Sequence, residues 1–209
     1  MLAAARELLE EGSHAAVTID RIARRAFVSR TTVYFYFSNK RAVMDRLIQQ
    51  AFADMYTAGA VYFEGSGEPR IELRLGLGRF VAVVNRNGPI LLLAAHLYGE
   101  HEHMPAEWEP YISRFVEGAE ARIARDQHRG IAPADISARI AAQALCAMVE
   151  RHLTVEVLRH GRDINEAIRA LAELWWRAVY ALGVSSSPAS LSEPVSSSAV
   201  GGASGAPSA

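Results

Sequence analysis

Two stretches of the sequence carry side chains dense enough to do chemistry. The first, "HLYGEHEHMPAEWE" at residues 96–109, gathers His96, His101 and His103 beside Glu100 and Glu102. Imidazoles and carboxylates together suit a transition metal. Yet His101 and His103 stand two apart, a strand spacing in a helical context, so a polar loop is the plainer reading. The second, "SRTTVYFYFSNK" at residues 29–40, places four consecutive aromatics between a cluster of hydroxyls and Lys40, the chain's only lysine. Hydroxyls and cations bond phosphates, while rings and methyls contact base edges, so this dozen suits a nucleic-acid surface. No nucleophile motif or phosphate loop occurs, so neither a catalytic residue nor a cofactor is expected.

The elements that must carry these groups are helical almost throughout, with Gly and Pro falling between periodic segments. Met1 to Glu11 reads as a first helix, stopped at Gly12. Thr18 can cap a second helix through Arg25, with Ile19, Ile22 and Ala23 inward. After a turn at residues 26–28, Ser29 can cap a third helix to Phe37, and Ser38 or Asn39 a fourth. On a wheel of about 100° per residue, Val33 and Phe37 share the core face. Thr31, Thr32 and Phe35 point the opposite way, with Tyr34 and Tyr36 on the flanks. Four consecutive rings span most of a turn, so one short helix cannot bury all of them.

Charge supports a polyanionic partner. Residues 1–50 hold eight of the 22 basic side chains and five of the 23 acidic ones, a surplus of +3, leaving 14 against 18, or −4, in the remainder. A basic head on an acidic body places a polyanion at the head. No apolar run approaches the roughly 20 residues of a membrane span. The first residues turn acidic at once, unlike a signal peptide. One cysteine forms no internal disulfide, which fits a cytoplasmic location.

"TIDRIARRAFVSRTTVYFYFSNKRAVMDRL" resembles the DNA-binding region of TetR-family transcriptional regulators. The points of likeness are a Thr-capped helix, "VS", a recognition helix with an aromatic run, a lysine, and the start of a long helix. The resemblance implies an all-α protein with a three-helix DNA-binding head that contains a helix-turn-helix. A helical ligand-binding and dimerisation body follows. It implies a homodimer built by the last two helices, a double-stranded operator as partner, and repression relieved by a small molecule. By position, Thr18, Arg30, Thr31, Thr32, Tyr34, Phe35, Tyr36 and Lys40 are the DNA-facing residues. Phe27 stands where the family has Gly, so positive φ is expected there. The family's further helical turns and basic arm are not seen ahead of Met1. Either the true start lies upstream or the arm's DNA contacts are missing.

The division expected is a head at residues 1–50, a body at 51–183, and a disordered tail at 184–209, where Ser, Gly, Pro and Ala leave too little to bury. Body helices are expected at 70–87, 89–98, 105–129, 133–160 and 163–182, with prolines at their starts. "ALCAMVERHLTVEVL" and "LWWRAVYALG" resemble the body of the family's ethionamide-regulator branch. By helix position, Phe80, Trp108, Tyr111, Phe115, Cys146, Val149, Leu153 and Trp175 could line an apolar cavity for a hydrophobic effector. On the last helix, Ile164, Ile168, Leu171, Trp175 and Val179 form one stripe. Trp176 and Tyr180 sit on a neighbouring face, available to a second subunit. The alternative is a helical enzyme or a metal-responsive sensor built on residues 100–103.

Overall fold

Side-chain caps fix where the short helices begin. In the computed structural model, which describes residues 1–12, 15, 17–98 and 109–181, α1 (Leu2–Glu11) is followed by α2 (Ile19–Arg25), where the Thr18 hydroxyl accepts the Arg21 amide at 3.2 Å. Ser29 accepts the Thr32 amide at 3.0 Å to open α3 (Arg30–Tyr36). Asn39 accepts the Ala42 amide at 2.9 Å to open α4 (Lys40–Phe63). Each cap satisfies an amide that the first helical turn leaves without a partner, worth about 1 kcal/mol. Leu8, Val17, Ile22, Val33, Val43 and Leu47 then close a head core that α4 carries onward into the body.

The turn between α2 and α3 has a defined hydrogen-bond pattern. The Val28 amide donates to the Ala23 carbonyl at 3.0 Å and the Phe27 amide to the Arg24 carbonyl at 3.2 Å. This is a Schellman motif, which requires a left-handed residue at its pivot. Phe27 is that residue, with φ 54°, the one non-Gly positive φ among the described residues. Its ring is 96% exposed and packs on nothing that would repay the strain. The left-handed conformation costs a residue with a Cβ about 1–2 kcal/mol, and glycine loses about 0.5–1 kcal/mol more entropy on folding. Phe27→Gly is therefore expected to stabilise the fold by about 0.5–1 kcal/mol, read as a raised thermal midpoint; a lowered midpoint contradicts the strain.

The body comprises α5 (Pro69–Tyr98), α6 (Glu109–His128), α7 (Ala138–His152), a π-helix (Leu153–Arg159) and α8 (Ile164–Tyr180). No strand occurs among the described residues. Three boundaries differ from the sequence expectation. Pro89 does not separate two helices but sits inside α5. Burial of Ile90, Leu91, Leu93 and Ala94 beyond it outweighs a local cost of about 3 kcal/mol. α7 starts at Ala138, five residues after Pro133, because the Gln127 amide group holds the Pro133 and Ile136 carbonyls at 2.9 and 2.8 Å in a loop. The final turns of the expected 133–160 helix are wound as the π-helix.

Of the two rings expected on a face available to a second subunit, Tyr180 is instead placed inside the chain. Tyr180 is buried, and Trp176 stacks on it with ring centroids 4.7 Å apart while Arg70 lies 5.4 Å over the indole. Both rings thus find partners within the chain, whereas Leu174 of α8 and Ile140 of α7 are the large apolar side chains left exposed on these helices. The expected tail at 184–209 lies outside the described residues. So do residues 99–108, which include Trp108 and the Glu100–His103 cluster, and the side chain of His96.

Candidate functional site

α3 divides as its wheel requires. Val33 is fully buried, and Phe37, the residue that ends α3, packs half-buried against the head core. Tyr34, Phe35 and Tyr36 are 48%, 82% and 63% exposed, and Thr31 is exposed beside them. Phe35 and Tyr36 meet edge to face at 5.1 Å, so the two rings brace each other without a core behind them. Three neighbouring exposed aromatics on a seven-residue helix form an apolar, hydroxyl-edged face of the kind that partner binding covers.

The remaining head residues are placed less simply. The Thr18 hydroxyl is already used in capping α2, and the Thr32 hydroxyl lies 2.8 Å from that of Ser29. Arg30 pairs through Nε with the Asp20 carboxylate at 2.8 Å. Lys40 opens α4 half-buried, and that burial holds its ammonium below the usual lysine range.

The body encloses a cavity of about 370 Å³ between α4, α5, α6, α7, the π-helix and α8. Of the residues expected to line it, Phe80, Phe115, Cys146, Val149, Leu153 and Trp175 do so. Tyr111 does not: its ring stacks on Phe52, 6.1 Å away, and Phe52 supplies the wall instead. Burial pushes the Cys146 thiol up to about 12, so it is neutral apolar surface there and not a nucleophile. Sequence reasoning missed the contribution of α4 (Phe52, Met55, Tyr62 and Phe63) and of Leu73, Leu77, Val84 and Leu91 on α5. On α4, Val43, Leu47, Ile48, Ala51, Phe52 and Met55 recur at spacings of three and four and mark an inner face, but not that this face borders a void.

A buried polar network forms one end of the cavity. The Trp175 indole donates to the Tyr62 hydroxyl at 3.1 Å, Tyr62 and Tyr180 share a bond at 3.0 Å, and Tyr180 donates to Asp126 at 2.9 Å. Burial pushes the Tyr62 phenol up to about 12. At the centre lies Arg122, fully buried. It donates to Asp126 at 2.7 Å, to Glu72, and to the carbonyls of Tyr62, Gly65 and Gly67 at 3.0, 3.0 and 3.1 Å. Burial opposes its charge, but the bonds to Asp126 and Glu72 prevail and hold the guanidinium ionised. The network ties the end of α4 and the loop after it to α6 and α8.

Residues 1–47 match the family model described as bacterial regulatory proteins, tetR family, and residues 73–181 match that of the transcriptional regulator EthR, C-terminal domain. The HTH-type transcriptional regulator EthR of Mycobacterium tuberculosis is 26% identical over 186 residues, covering 86% of this chain and 85% of that protein. Among solved structures, NalD of Pseudomonas aeruginosa, secondary repressor of the MexAB-OprM multidrug efflux pump, is similar with a TM-score of 0.61 at 26% identity, over 86% of this chain and 93% of its own. The fatty acid degradation regulator FadR from Bacillus halodurans shares the fold with a TM-score of 0.67 at 15% identity, over 83% and 95%. With one model covering the helix-turn-helix head and the other more than half of the chain, this protein belongs to the TetR family of DNA-binding transcriptional regulators and carries an EthR-type C-terminal domain.

Proposed function

We propose that the protein is a homodimeric repressor, released from its operator when a small hydrophobic ligand fills the body cavity. The observation that carries the reading is the exposed face of α3, where Thr31, Tyr34, Phe35 and Tyr36 have no core to serve. Residues 1–50 act as the DNA-binding head and 51–183 as the sensing and pairing body. Phe35 with Thr31 and Thr32 meets base edges in the major groove, and Tyr34 and Tyr36 bond the phosphates on either side. Arg30, Thr18 and Lys40 bond the backbone, Arg30 after giving up Asp20. Dimerisation uses α7 and α8, on which Ile140 and Leu174 are 62% and 52% exposed. That proteins named as a repressor and as regulators share the fold supports the reading.

Release follows from population shift. Two heads must reach half-sites about 34–36 Å apart, and α4 runs from Lys40 at the head to Phe63 in the cavity wall. A ligand that binds better to a dimer with a different head spacing lowers DNA affinity by its preference between the two states. Thermal-shift screening with lipophilic small molecules, followed by a DNA-release assay on those that stabilise, tests the proposal. Compounds that raise the melting point and release DNA are expected; stabilisers that leave DNA affinity unchanged contradict it.

A further inference from the structure

The cavity is apolar wherever it is buried, and its opening is charged. Among its described lining residues, three are exposed to solvent: Glu150, Arg151 and Arg159. The way in therefore lies at the junction of α7 and the π-helix. Within the cavity, the Tyr62 hydroxyl is already bonded to Trp175 and Tyr180, and the half-buried Cys146 thiol is neutral. The wall thus offers a ligand no free polar group until it reaches the rim.

At the rim the groups are mismatched. The Thr154 hydroxyl donates to Glu150 at 3.1 Å, so this carboxylate is held along its own helix. Among the described residues, neither Arg151 nor Arg159 has an ion-pair or hydrogen-bond partner. Two guanidiniums against one carboxylate leave a positive opening to an apolar interior. The π-helix makes this arrangement: Thr154, Leu158 and Arg159 all border the cavity. In an α-helix a residue five further on is rotated by about 140°, which would turn Arg159 away from the side Thr154 faces. The wider i→i+5 winding keeps both on one wall, and π segments of this kind occur mostly at functional sites.

We infer that the effector is an amphiphile, an aliphatic chain lying in the cavity with an anionic head group held at the opening by Arg151 and Arg159. This rests on the proposal that the cavity is the effector site. A guanidinium pairs with a carboxylate or a phosphate in the same forked geometry, so the shared chemistry is a planar or tetrahedral oxyanion on a chain. The apolar lining supplies chain affinity and the rim supplies selection between heads.

Isothermal titration of the full-length protein with dodecanoate, dodecyl phosphate and 1-dodecanol separates the two claims. At least one of the anions is expected to bind roughly tenfold more tightly than the alcohol, which corresponds to about 1.4 kcal/mol for a charge-assisted pair. The preferred anion names the head. Arg151→Gln combined with Arg159→Gln is expected to erase the preference. If the alcohol binds as tightly as both anions, or if the preference survives the double substitution, the head-group assignment falls while the cavity remains an apolar site. If none of the three binds, the cavity's role as a chain-binding effector site falls with it.

Discussion

Arg122→Ala is expected to cost about 3–5 kcal/mol of stability, because it leaves the buried Asp126 carboxylate, and the half-buried Glu72 beside it, without their cation. Arg122 is fully enclosed and makes bonds to Asp126, Glu72 and three backbone carbonyls. Removing it also frees the loop between α4 and α5, whose Gly65 and Gly67 carbonyls it holds at 3.0 and 3.1 Å. Urea denaturation at fixed protein concentration reads the effect. Exposed pairs such as Arg41–Asp45 provide the contrast: their loss is worth about 1 kcal/mol or less. A midpoint shift for Arg122→Ala no larger than that of Arg41→Ala contradicts the central place given to the network. Glu72→Gln, which keeps a partner of similar shape, is expected to fall between the two.

The second large effect is on DNA affinity. Lys40→Ala is expected to weaken binding across all sequences and to lower the slope of log affinity against log salt by about 1, the signature of one lost phosphate contact. Tyr36→Phe, which removes a 63% exposed hydroxyl-bearing edge without touching the core, should weaken binding broadly in the same way but with little change in salt slope. Thr32→Ala should instead alter sequence preference, by about 1–3 kcal/mol at one base pair. Binding curves on the operator and on single-base variants at two salt concentrations distinguish the three. Should Lys40→Ala leave both affinity and salt slope untouched, the phosphate role is wrong.

The head was legible in the sequence because its determinants are local. Caps lie within three residues of what they cap, and the α3 wheel is settled by Val33 and Phe37 within one helical turn. The strained pivot at Phe27 was legible only through the family resemblance, which has Gly at that position, since a phenylalanine does not itself announce a left-handed residue. The body was legible only in part. Pro89 looked like a boundary, but the burial that carries α5 past it comes from other helices.

Arg122 in "ARIARDQHRG" has the look of a solvated charge, and its partners Glu72, Gly65 and Gly67 lie 50 or more residues away. Tyr180 fits an intersubunit face in the sequence, because its partner Asp126 lies 54 residues away. The cavity opening left one trace in the sequence: Glu150 and Arg151 break the apolar run from Leu145 to Leu153 there. A 3.6-residue period hides Arg159 from that opening, since the winding itself depends on the surrounding packing.

The aromatic and hydroxyl face of α3 is the surface proposed to enter a DNA major groove. The most direct test of that role is a mobility shift of the promoter DNA beside the protein's own gene against a scrambled duplex, at two salt concentrations, with wild type and a Phe35→Ala, Tyr36→Ala variant. The expected result is a shift specific to the promoter that weakens steeply with salt and is lost in the variant, whose core residues are untouched. A promoter-specific shift that persists in the variant, or a wild-type protein that does not tell promoter from scramble at either salt, contradicts it.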